Sequence, residues 1–227
     1  MTTVALVGAT GLVGSIIFNT LKGSDAVKHI YTFSRKALPG DAKVTPIVSK
    51  DATEWTSQYP SGSQLFISAL GTTRGNAGGF ENQRKIDYDL NLAMAKAARE
   101  SGSKVYVLIS SSGANSKSSM GYLKMKGELE EAVQELGFEN VVIVRPGVIV
   151  GNRQESRIAE AVLRNVARFA GSVSGGMLKD SWAQDDVVIA RAAVRAGLDA
   201  VEGKVSDKSR ILGQGDIVRL GRTEWKD

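Results

Sequence analysis

The chain of 227 residues has no cysteine, one histidine and four prolines. Without cysteine it can form neither a disulfide framework nor a thiolate nucleophile, which fits a reducing compartment. The single histidine, His29, lies before the second predicted strand, and the sequence has no Gly-x-Ser-x-Gly elbow. Both absences argue against a serine hydrolase, because that chemistry needs a base beside the nucleophile.

Long hydrophobic runs are also missing. No stretch reaches the roughly 18 consecutive apolar residues of a membrane-spanning helix, and the longest run, residues 141–150, is interrupted by Arg145, Pro146 and Gly147. Met1, Thr2 and Thr3 lead directly into an apolar run without a basic leader. We therefore expect an uncleaved soluble protein that is at most peripheral to a membrane.

The residues that are present have the proportions of a globular domain, with 42% hydrophobic residues, 23% charged residues and 25 glycines. The formal net charge is +5, which suits a phosphorylated ligand, an anionic membrane surface or nucleic acid. Because lysine and arginine are spread along the chain without a basic run, we do not expect nucleic-acid binding.

Short apolar runs alternate with longer amphipathic segments, which predicts a Rossmann-type, doubly wound α/β fold with a parallel sheet. β-branched and aromatic residues indicate six buried strands, at residues 4–7, 30–33, 44–48, 65–67, 105–109 and 141–144. Helices are predicted chiefly at residues 12–22, 80–101 and 121–136. These elements place a core in residues 1–150 of a single domain that spans residues 1–227.

After residue 150 the alternation weakens. Helices are predicted at residues 156–169 and 185–200, on either side of the glycine- and serine-rich residues 171–176, and residues 204–212 could add a strand. This tail is too short to fold alone. We therefore expect residues 151–227 to form a small cap at the carboxyl edge of the sheet, where ligands of such sheets bind.

A glycine motif, Gly8-Ala9-Thr10-Gly11-Leu12-Val13-Gly14, follows the first predicted strand and opens the first helix. Glycines at this spacing permit a tight turn and let backbone N–H groups approach a pyrophosphate, which the helix N-terminus also favours. The position between strand and helix makes the motif more specific than the glycines alone. We therefore predict a dinucleotide-binding loop; a glycine-rich turn without a ligand is the alternative.

Basic residues follow the second strand, in the sequence Ser34-Arg35-Lys36. Many NAD-binding folds have a carboxylate here for the ribose 2′-hydroxyl. Arg35 could instead bind a 2′-phosphate bidentately, with Lys36 beside it. NADP is therefore favoured over NAD, and the alternative is an exposed basic pair without a ligand.

Tyr122 and Lys126 lie one helical turn apart, and helical periodicity places Lys126 on the apolar stripe of its helix. Burying a lysine is costly, so an inward-facing lysine beside a tyrosine suggests a functional role. The ammonium would stabilise the phenolate and lower the pKa of Tyr122. Such a tyrosine could protonate a carbonyl oxygen as hydride arrives, and without cysteine it is the plausible acid.

The fifth predicted strand ends in Ser110-Ser111-Ser112-Gly113. A hydroxyl at the carboxyl end of a parallel strand points toward the ligand crevice and can donate a hydrogen bond to a substrate oxygen. The alternative is a polar strand exit without a catalytic role.

Together these motifs resemble the short-chain dehydrogenase/reductases of the extended or atypical kind. The residues that carry this resemblance are the glycine motif, Asn91, the serine run, the Tyr122–Lys126 pair and Arg145-Pro146-Gly147. More narrowly, Arg145-Pro146-Gly147-Val148 and residues 153–157 and 180–183 are similar to the Tat-interacting-protein-like oxidoreductases and their fungal mitochondrial outer-membrane homologues.

The resemblance implies a role for each matching residue. Tyr122 would be the acid/base, Lys126 would hold the nicotinamide ribose, and Ser111, with Ser112 as the alternative, would polarise the substrate oxygen. Asn91 would support a proton relay. The remaining cofactor contacts would be Ala69, Leu70, Gly71 and Thr72 at the ribose, Asp51 near adenine, and Pro146 and Val148 at the nicotinamide.

We therefore expect an NADP-dependent oxidoreductase that transfers hydride to or from a small carbonyl or alcohol substrate. A dinucleotide-sensing regulatory or binding protein on the same fold is the alternative, because fold does not fix function. An epimerase or dehydratase acting on nucleotide sugars is less favoured, because the short tail leaves little room for such a substrate. The sequence indicates no oligomeric state.

Four arginines recur near helical spacing after residue 150, at Arg153, Arg157, Arg164 and Arg168. They could form a solvated helix face or meet anionic lipid head groups at a membrane surface. The family resemblance implies a peripheral location at the mitochondrial outer membrane, with the cytoplasm as the alternative.

Overall fold

The computed structural model describes residues 1–150 and 183–226. In these residues, seven parallel strands form the central sheet in the order β3-β2-β1-β4-β5-β6-β9. The strands are β1 Thr2–Val7, β2 Val27–Ser34, β3 Val44–Val48, β4 Leu65–Ser68, β5 Val105–Ile109, β6 Asn140–Val144 and β9 Ser209–Leu212. A separate parallel pair joins β7 (Val148–Val150) to β8 (Ala183–Asp185). The predicted doubly wound α/β fold is confirmed.

The chain reverses its direction across the sheet between β1 and β4. From β1 it winds outward through β2 to β3, and then β4 pairs with the other side of β1. In open parallel sheets, ligands bind at this switch point, beyond the carboxyl ends of the strands. The residues that follow β1 and β4 therefore mark the expected crevice.

Helices cover the strands on both faces. They are α1 Leu12–Gly23, α2 Arg74–Ala77, α3 Phe80–Arg84, α4 Asn91–Glu100, α5 Gly121–Gln134, α6 Asp186–Val201 and α7 Gln214–Val218. A 3₁₀ turn spans Ala52–Trp55, and π-helical segments span Lys85–Leu90 and Arg219–Thr223. The helix predicted at residues 80–101 is thus interrupted by a π segment, a feature that is frequent at functional sites.

Alternating residues of β1 face two separate hydrophobic layers, as a buried strand requires. Val4 and Leu6 pack with α1 and α6, whereas Ala5 and Val7 pack with α4 and α5. The second layer contains a row of aromatic rings, with neighbouring centroids 5.3 to 5.6 Å apart, formed by Phe33, Tyr59, Phe66, Tyr106 and Phe138. Such rings contribute both buried area and favourable offset stacking.

The tail contributes more to the hydrophobic core than we expected of a small cap. Helix α6 is largely buried against α1 and the strands, and β9 extends the sheet beside β6. Within residues 183–226, the tail therefore completes a helical layer and a sheet edge, because α6 carries enough alanine and valine to bury most of its surface. Several predictions lie outside the described residues: the helix at residues 156–169, the motifs at residues 153–157 and 180–182, and the four arginines Arg153, Arg157, Arg164 and Arg168.

None of the helices that the structure describes is both long and apolar enough to cross a bilayer.

Candidate active site

The glycine motif forms a turn in which side chains would not fit. Gly8 has φ of +87°, and a Cβ there would lie 2.5 Å from the backbone of Ala69. A Cβ on Gly14 would lie 2.0 Å from the carbonyl oxygen of Gly8. The Gly11 N–H closes the turn by donating to the Gly8 carbonyl at 2.9 Å. Strand β1, helix α1 and the loop after β4 therefore meet at backbone distance.

Helix α1 begins at Leu12, with Gly11 at its N-cap position. Because Gly11 has no side chain, the first N–H groups of the helix, including those of Leu12 and Val13, receive no cap from that residue. The Ser15 N–H is the one that returns to the Gly11 carbonyl, at 3.0 Å. Open N–H groups at a positive helix end fit a pyrophosphate. The exposed Thr10 lies at the rim of this loop.

Arg35 and Lys36 are exposed directly after β2. The buried Ser34 hydroxyl donates to the Lys36 carbonyl at 2.6 Å, and its own carbonyl accepts from the Ser49 N–H at 3.2 Å. These bonds fix the backbone of the turn and leave both basic side chains at the carboxyl edge of the sheet. The position is compatible with a 2′-phosphate.

Asp51 lies at the same edge and caps the 3₁₀ turn that follows β3. Its carboxylate accepts from the Thr53 N–H at 2.9 Å and from the Thr53 hydroxyl at 2.7 Å. These two bonds lower the pKa of Asp51, so the carboxylate is ionised. The Asp51 carboxylate is thus engaged in hydrogen bonds within its own turn, and its predicted contact with adenine stays a prediction.

Ser111 and Ser112 follow β5 and have different neighbours. The Ser111 hydroxyl donates to the Ser112 carbonyl at 3.3 Å, and its interaction with Tyr122 by itself lowers the pKa of the phenol. The Ser112 hydroxyl accepts from the Gln214 side chain at 3.3 Å, and its N–H donates to the Pro146 carbonyl at 2.8 Å. The structure therefore brings Ser111 to Tyr122 and turns Ser112 toward the chain after β9.

The pKa of Tyr122 is raised, which is opposite to the predicted direction. Burial is the largest cause, the negative charge of Asp87 adds to it, and the hydrogen bond with Ser111 opposes it. The residue is 41% exposed, so the effect of burial is incomplete. The prediction was wrong because it counted only the neighbouring lysine. In the structure, the Lys126 ammonium donates to the Ile109 carbonyl at 3.1 Å.

Lys126 faces the interior, as helical periodicity predicts, with only 3% of the residue exposed. Burial lowers the pKa of this lysine, while the negative charges of Asp87 and Glu130 raise it. Two carboxylates therefore offset part of the cost of burying the ammonium.

Asn91 is fully buried at the start of α4 and connects the helix to β4. Its Oδ1 accepts from the Ser68 hydroxyl, and its Nδ2 lies 3.3 Å from the Leu70 carbonyl. The same Nδ2 lies 3.2 Å from the carbonyls of Ile86 and Asp87 in the π segment. Asn91 therefore positions the loop after β4, and its part in a proton relay stays a prediction.

The remaining predicted cofactor contacts also lie at the carboxyl ends of the strands. Ala69 and Leu70 abut Gly8, and the Ala69 N–H donates to the Val7 carbonyl at 3.0 Å. Gly71 lies near Asp87, which would be 3.6 Å from a Cβ at that position. Pro146 is buried beside β5, and Val148 begins β7 with 43% of its surface exposed.

Sequence reasoning missed three buried polar residues at this site: Gln83, Asp87 and Glu130. The carboxylate of Glu130 accepts from the Ser110 hydroxyl and from Arg145, whose Nε lies 3.1 Å from each carboxylate oxygen. Glu130 thereby joins α5 to the ends of β5 and β6. Its spacing of four residues from Lys126, which puts the two side chains on one face of the helix, was the available signal.

His29 lies within β2 rather than before it, and its ring is 2.9 Å from the Thr45 hydroxyl of β3. It is distant in the sheet from the carboxyl edge, so it takes no part in the site.

Comparison with known sequences identifies the family. The HIM1 family model matches residues 44–172, more than half of the chain. A protein named fmp52, mitochondrial, from Aspergillus clavatus is 54% identical and covers 97% of this chain and 99% of its own length. The chain belongs to the HIM1 family. Another member, FMP52, mitochondrial, from Coccidioides immitis, is 43% identical over 100% of this chain and 99% of its own length.

Solved structures similar to this HIM1 protein have the same fold. MoeE5 in complex with UDP-glucuronic acid and NAD has a TM-score of 0.67 at 15% identity, covering 92% of this chain and 75% of its own. The human epimerase family protein SDR39U1 with NADPH has a TM-score of 0.62 at 15% identity, covering 93% and 73%. At this identity the likeness establishes the Rossmann-like fold alone.

Proposed function

We propose that this HIM1 protein is an NADP-dependent oxidoreductase of the short-chain dehydrogenase/reductase type. The observation that carries the proposal is the convergence of a side-chain-free turn at Gly8 and Gly14 with the Ser111–Tyr122–Lys126 group at one sheet edge. Structural neighbours that hold NAD or NADPH are in keeping with a dinucleotide at this edge.

The chain's residues fit the two kinds of phosphate group in such a cofactor. The open N–H groups at the start of α1 would bind the pyrophosphate, and Arg35 with Lys36 would bind the 2′-phosphate. The loop of Ala69 to Thr72 would line the ribose, and Lys126 would bind the nicotinamide ribose. Preference for NADP over NAD rests on Arg35 and on the lack of a carboxylate directly after β2.

A bound nicotinamide dinucleotide supplies or accepts the hydride. In the reducing direction, Ser111 donates a hydrogen bond to the carbonyl oxygen, and Tyr122 transfers its phenolic proton to that oxygen as the carbon receives the hydride. The product is an alcohol, and the phenolate left on Tyr122 regains a proton from solvent. The phenol of Tyr122 is protonated at neutral pH and carries the proton that it donates, while its raised pKa makes it a weaker acid than an ordinary tyrosine.

The Tyr122→Phe variant tests this proposal. We expect NADPH to bind unchanged and NADPH-dependent reduction of a carbonyl panel to fall at least about a hundredfold, in line with the loss of a general acid. Tyr88→Phe, on the π segment, is the matched control and should retain turnover. Turnover that survives in Tyr122→Phe would remove Tyr122 as the acid. NADPH binding with no turnover on any carbonyl by the unaltered protein would favour the dinucleotide-sensing protein instead.

We further propose a peripheral location at the mitochondrial outer membrane, which the word mitochondrial in the names of the relatives supports. In fractionated fungal cells, we expect the protein to co-purify with mitochondria, to be digested by protease added to intact organelles, and to be released by alkaline carbonate. Protection from protease or recovery in the cytosol would contradict this location.

A further inference from the structure

Asp87 is a buried carboxylate that the proposed reaction does not use. It lies in the first π segment with 2% of the residue exposed. Its Oδ1 accepts a hydrogen bond of 2.7 Å from the Thr72 N–H, and its Oδ2 lies 3.3 Å from the Gln83 side-chain nitrogen. The same Gln83 nitrogen donates to the Thr72 carbonyl at 3.0 Å. The N–H and the carbonyl of Thr72 are thus hydrogen bonded to two buried side chains, Gln83 on α3 and Asp87 on the π segment that follows it.

The charges around Asp87 come from several elements. From α5, the ammonium of Lys126 faces it and Tyr122 is within its electrostatic reach. Glu130 faces Lys126 as a second carboxylate, and it is paired with Arg145. On α3, Arg84 is directed to Glu128 at 2.7 Å and to the ring of Tyr88. Lys126 is therefore the described cation that offsets the burial of Asp87.

Burial raises the pKa of Asp87, while Lys126, the Thr72 N–H and Gln83 oppose that rise. In return, Asp87 raises the pKa of Lys126 and of Tyr122. A neutral amide at residue 87 could still accept from the Thr72 N–H. The negative charge is thus unnecessary for holding the loop, but it matters to the buried ammonium and to the phenol.

We propose that Asp87 is a positioning residue that links the cofactor loop to the acid: its carboxylate holds Thr72 after β4 and supplies the negative charge that faces Lys126 and Tyr122. This inference rests on the proposed oxidoreductase function. Asp87 favours the charged form of Lys126, which would bind the ribose, and the neutral form of Tyr122. The position of the loop and the proton affinity of the acid therefore depend on one side chain.

The charge is tested on the protein without cofactor, by NMR titration of tyrosines carrying a ¹³C label at Cζ, with Tyr122 assigned from Tyr122→Phe. In Asp87→Asn we expect roughly tenfold more phenolate at Tyr122 at a given pH below its midpoint, since removal of a nearby negative charge favours ionisation. Asp89→Asn, an exposed carboxylate two residues away, is the control and should leave the titration unchanged. An unchanged titration in folded Asp87→Asn would contradict the proposed charge effect.

The loop contact is tested separately by Gln83→Met, which keeps the charge of Asp87 but removes the bond to the Thr72 carbonyl. We expect NADPH to bind several-fold more weakly while the Tyr122 titration stays the same. Unaltered NADPH affinity would contradict a role in cofactor binding for the hydrogen bonds that hold Thr72. Failure of the unaltered protein to bind NADPH would instead overturn the proposed function, and the titration would still decide the charge effect.

If Asp87→Asn does not fold, the contact between Asp87 and Thr72 can be tested in the unaltered protein. The amide resonance of Thr72 is expected to titrate in acid with the Asp87 carboxyl, at a midpoint above the ordinary 3.8. A Thr72 amide that does not respond to protonation of Asp87 would contradict the proposal.

Discussion

The two halves of the candidate site are built in different ways. The half formed by β1, α1 and β2 uses backbone, because Gly8 and Gly14 approach other main-chain atoms and the helix start offers free N–H groups. The half formed by β4, the π segment and α5 uses buried charges that depend on one another, with Lys126 between Asp87 and Glu130. The glycine turn is thus formed by one strand–turn–helix segment that packs against the loop after β4, whereas the acid/base geometry depends on buried charges from several distant segments.

Gly14 is the position at which a substitution should disrupt the backbone-built half of the site most strongly. A Cβ there would lie 2.0 Å from the Gly8 carbonyl oxygen, so Gly14→Ala must displace the turn. We expect complete loss of NADPH binding, seen as loss of the thermal stabilisation of about 2.7 kcal/mol that ligand at 100 times its Kd provides. Gly23→Ala, where a Cβ meets no described atom within 4 Å, should keep that stabilisation. Binding retained by Gly14→Ala would contradict a backbone-built half.

Ser111 and Ser112 provide a test of the half of the site that contains Tyr122. Because Ser111 interacts with Tyr122 and Ser112 is directed to Gln214, we expect Ser111→Ala to lower kcat by roughly a hundredfold, as for the loss of an oxyanion donor. Ser112→Ala should lower it by less than about threefold. Steady-state kinetics on any carbonyl that the protein reduces would measure both, and equal losses would contradict the assignment.

Glu130 tests whether buried charges hold this half together. Glu130→Ala leaves the guanidinium of Arg145 and the hydroxyl of Ser110 without their carboxylate. Loss of one partner of a buried pair costs about 3–5 kcal/mol, and we expect about 2–3 kcal/mol here because 29% of the Arg145 side chain is exposed. Urea unfolding measures the free energy of unfolding, with the exposed Glu135→Ala as control. A change below about 0.5 kcal/mol would contradict the role of the pair.

Arg35 gives the smallest expected effect, because it is exposed. Arg35→Ala should weaken NADPH binding roughly tenfold, or about 1.4 kcal/mol, and leave NADH binding unchanged. Lys28→Ala, at an exposed basic residue within β2, should leave both affinities intact. Equal effects on the two cofactors, measured by titration calorimetry, would contradict a 2′-phosphate contact.

Sequence patterns that repeat over a few residues predicted much of the fold. All six predicted strands are present, because buried parallel strands are continuous apolar runs. Helical periodicity also placed Lys126 inside. The glycine motif was predictable for the same reason: strand, turn and helix lie within residues 2–23.

The parts that sequence did not predict depend on long-range contacts. Asp87 and Glu130 are polar residues in amphipathic helices, and their burial follows from Thr72 and Arg145, which no periodicity connects to them. The raised pKa of Tyr122 has the same origin, since burial and the charge of Asp87 cause it. Strand β9 was only a weak prediction because Ser209 and Ile211 are exposed at the sheet edge.

A crystal structure with NADPH would test the central claim most directly. We predict the pyrophosphate against the N–H groups that follow Gly11, the 2′-phosphate at Arg35, and the nicotinamide ring beside Ser111 and Tyr122. Density for the dinucleotide elsewhere, or its absence at saturating NADPH, would contradict the assignment of this edge as the site of an NADP-dependent oxidoreductase.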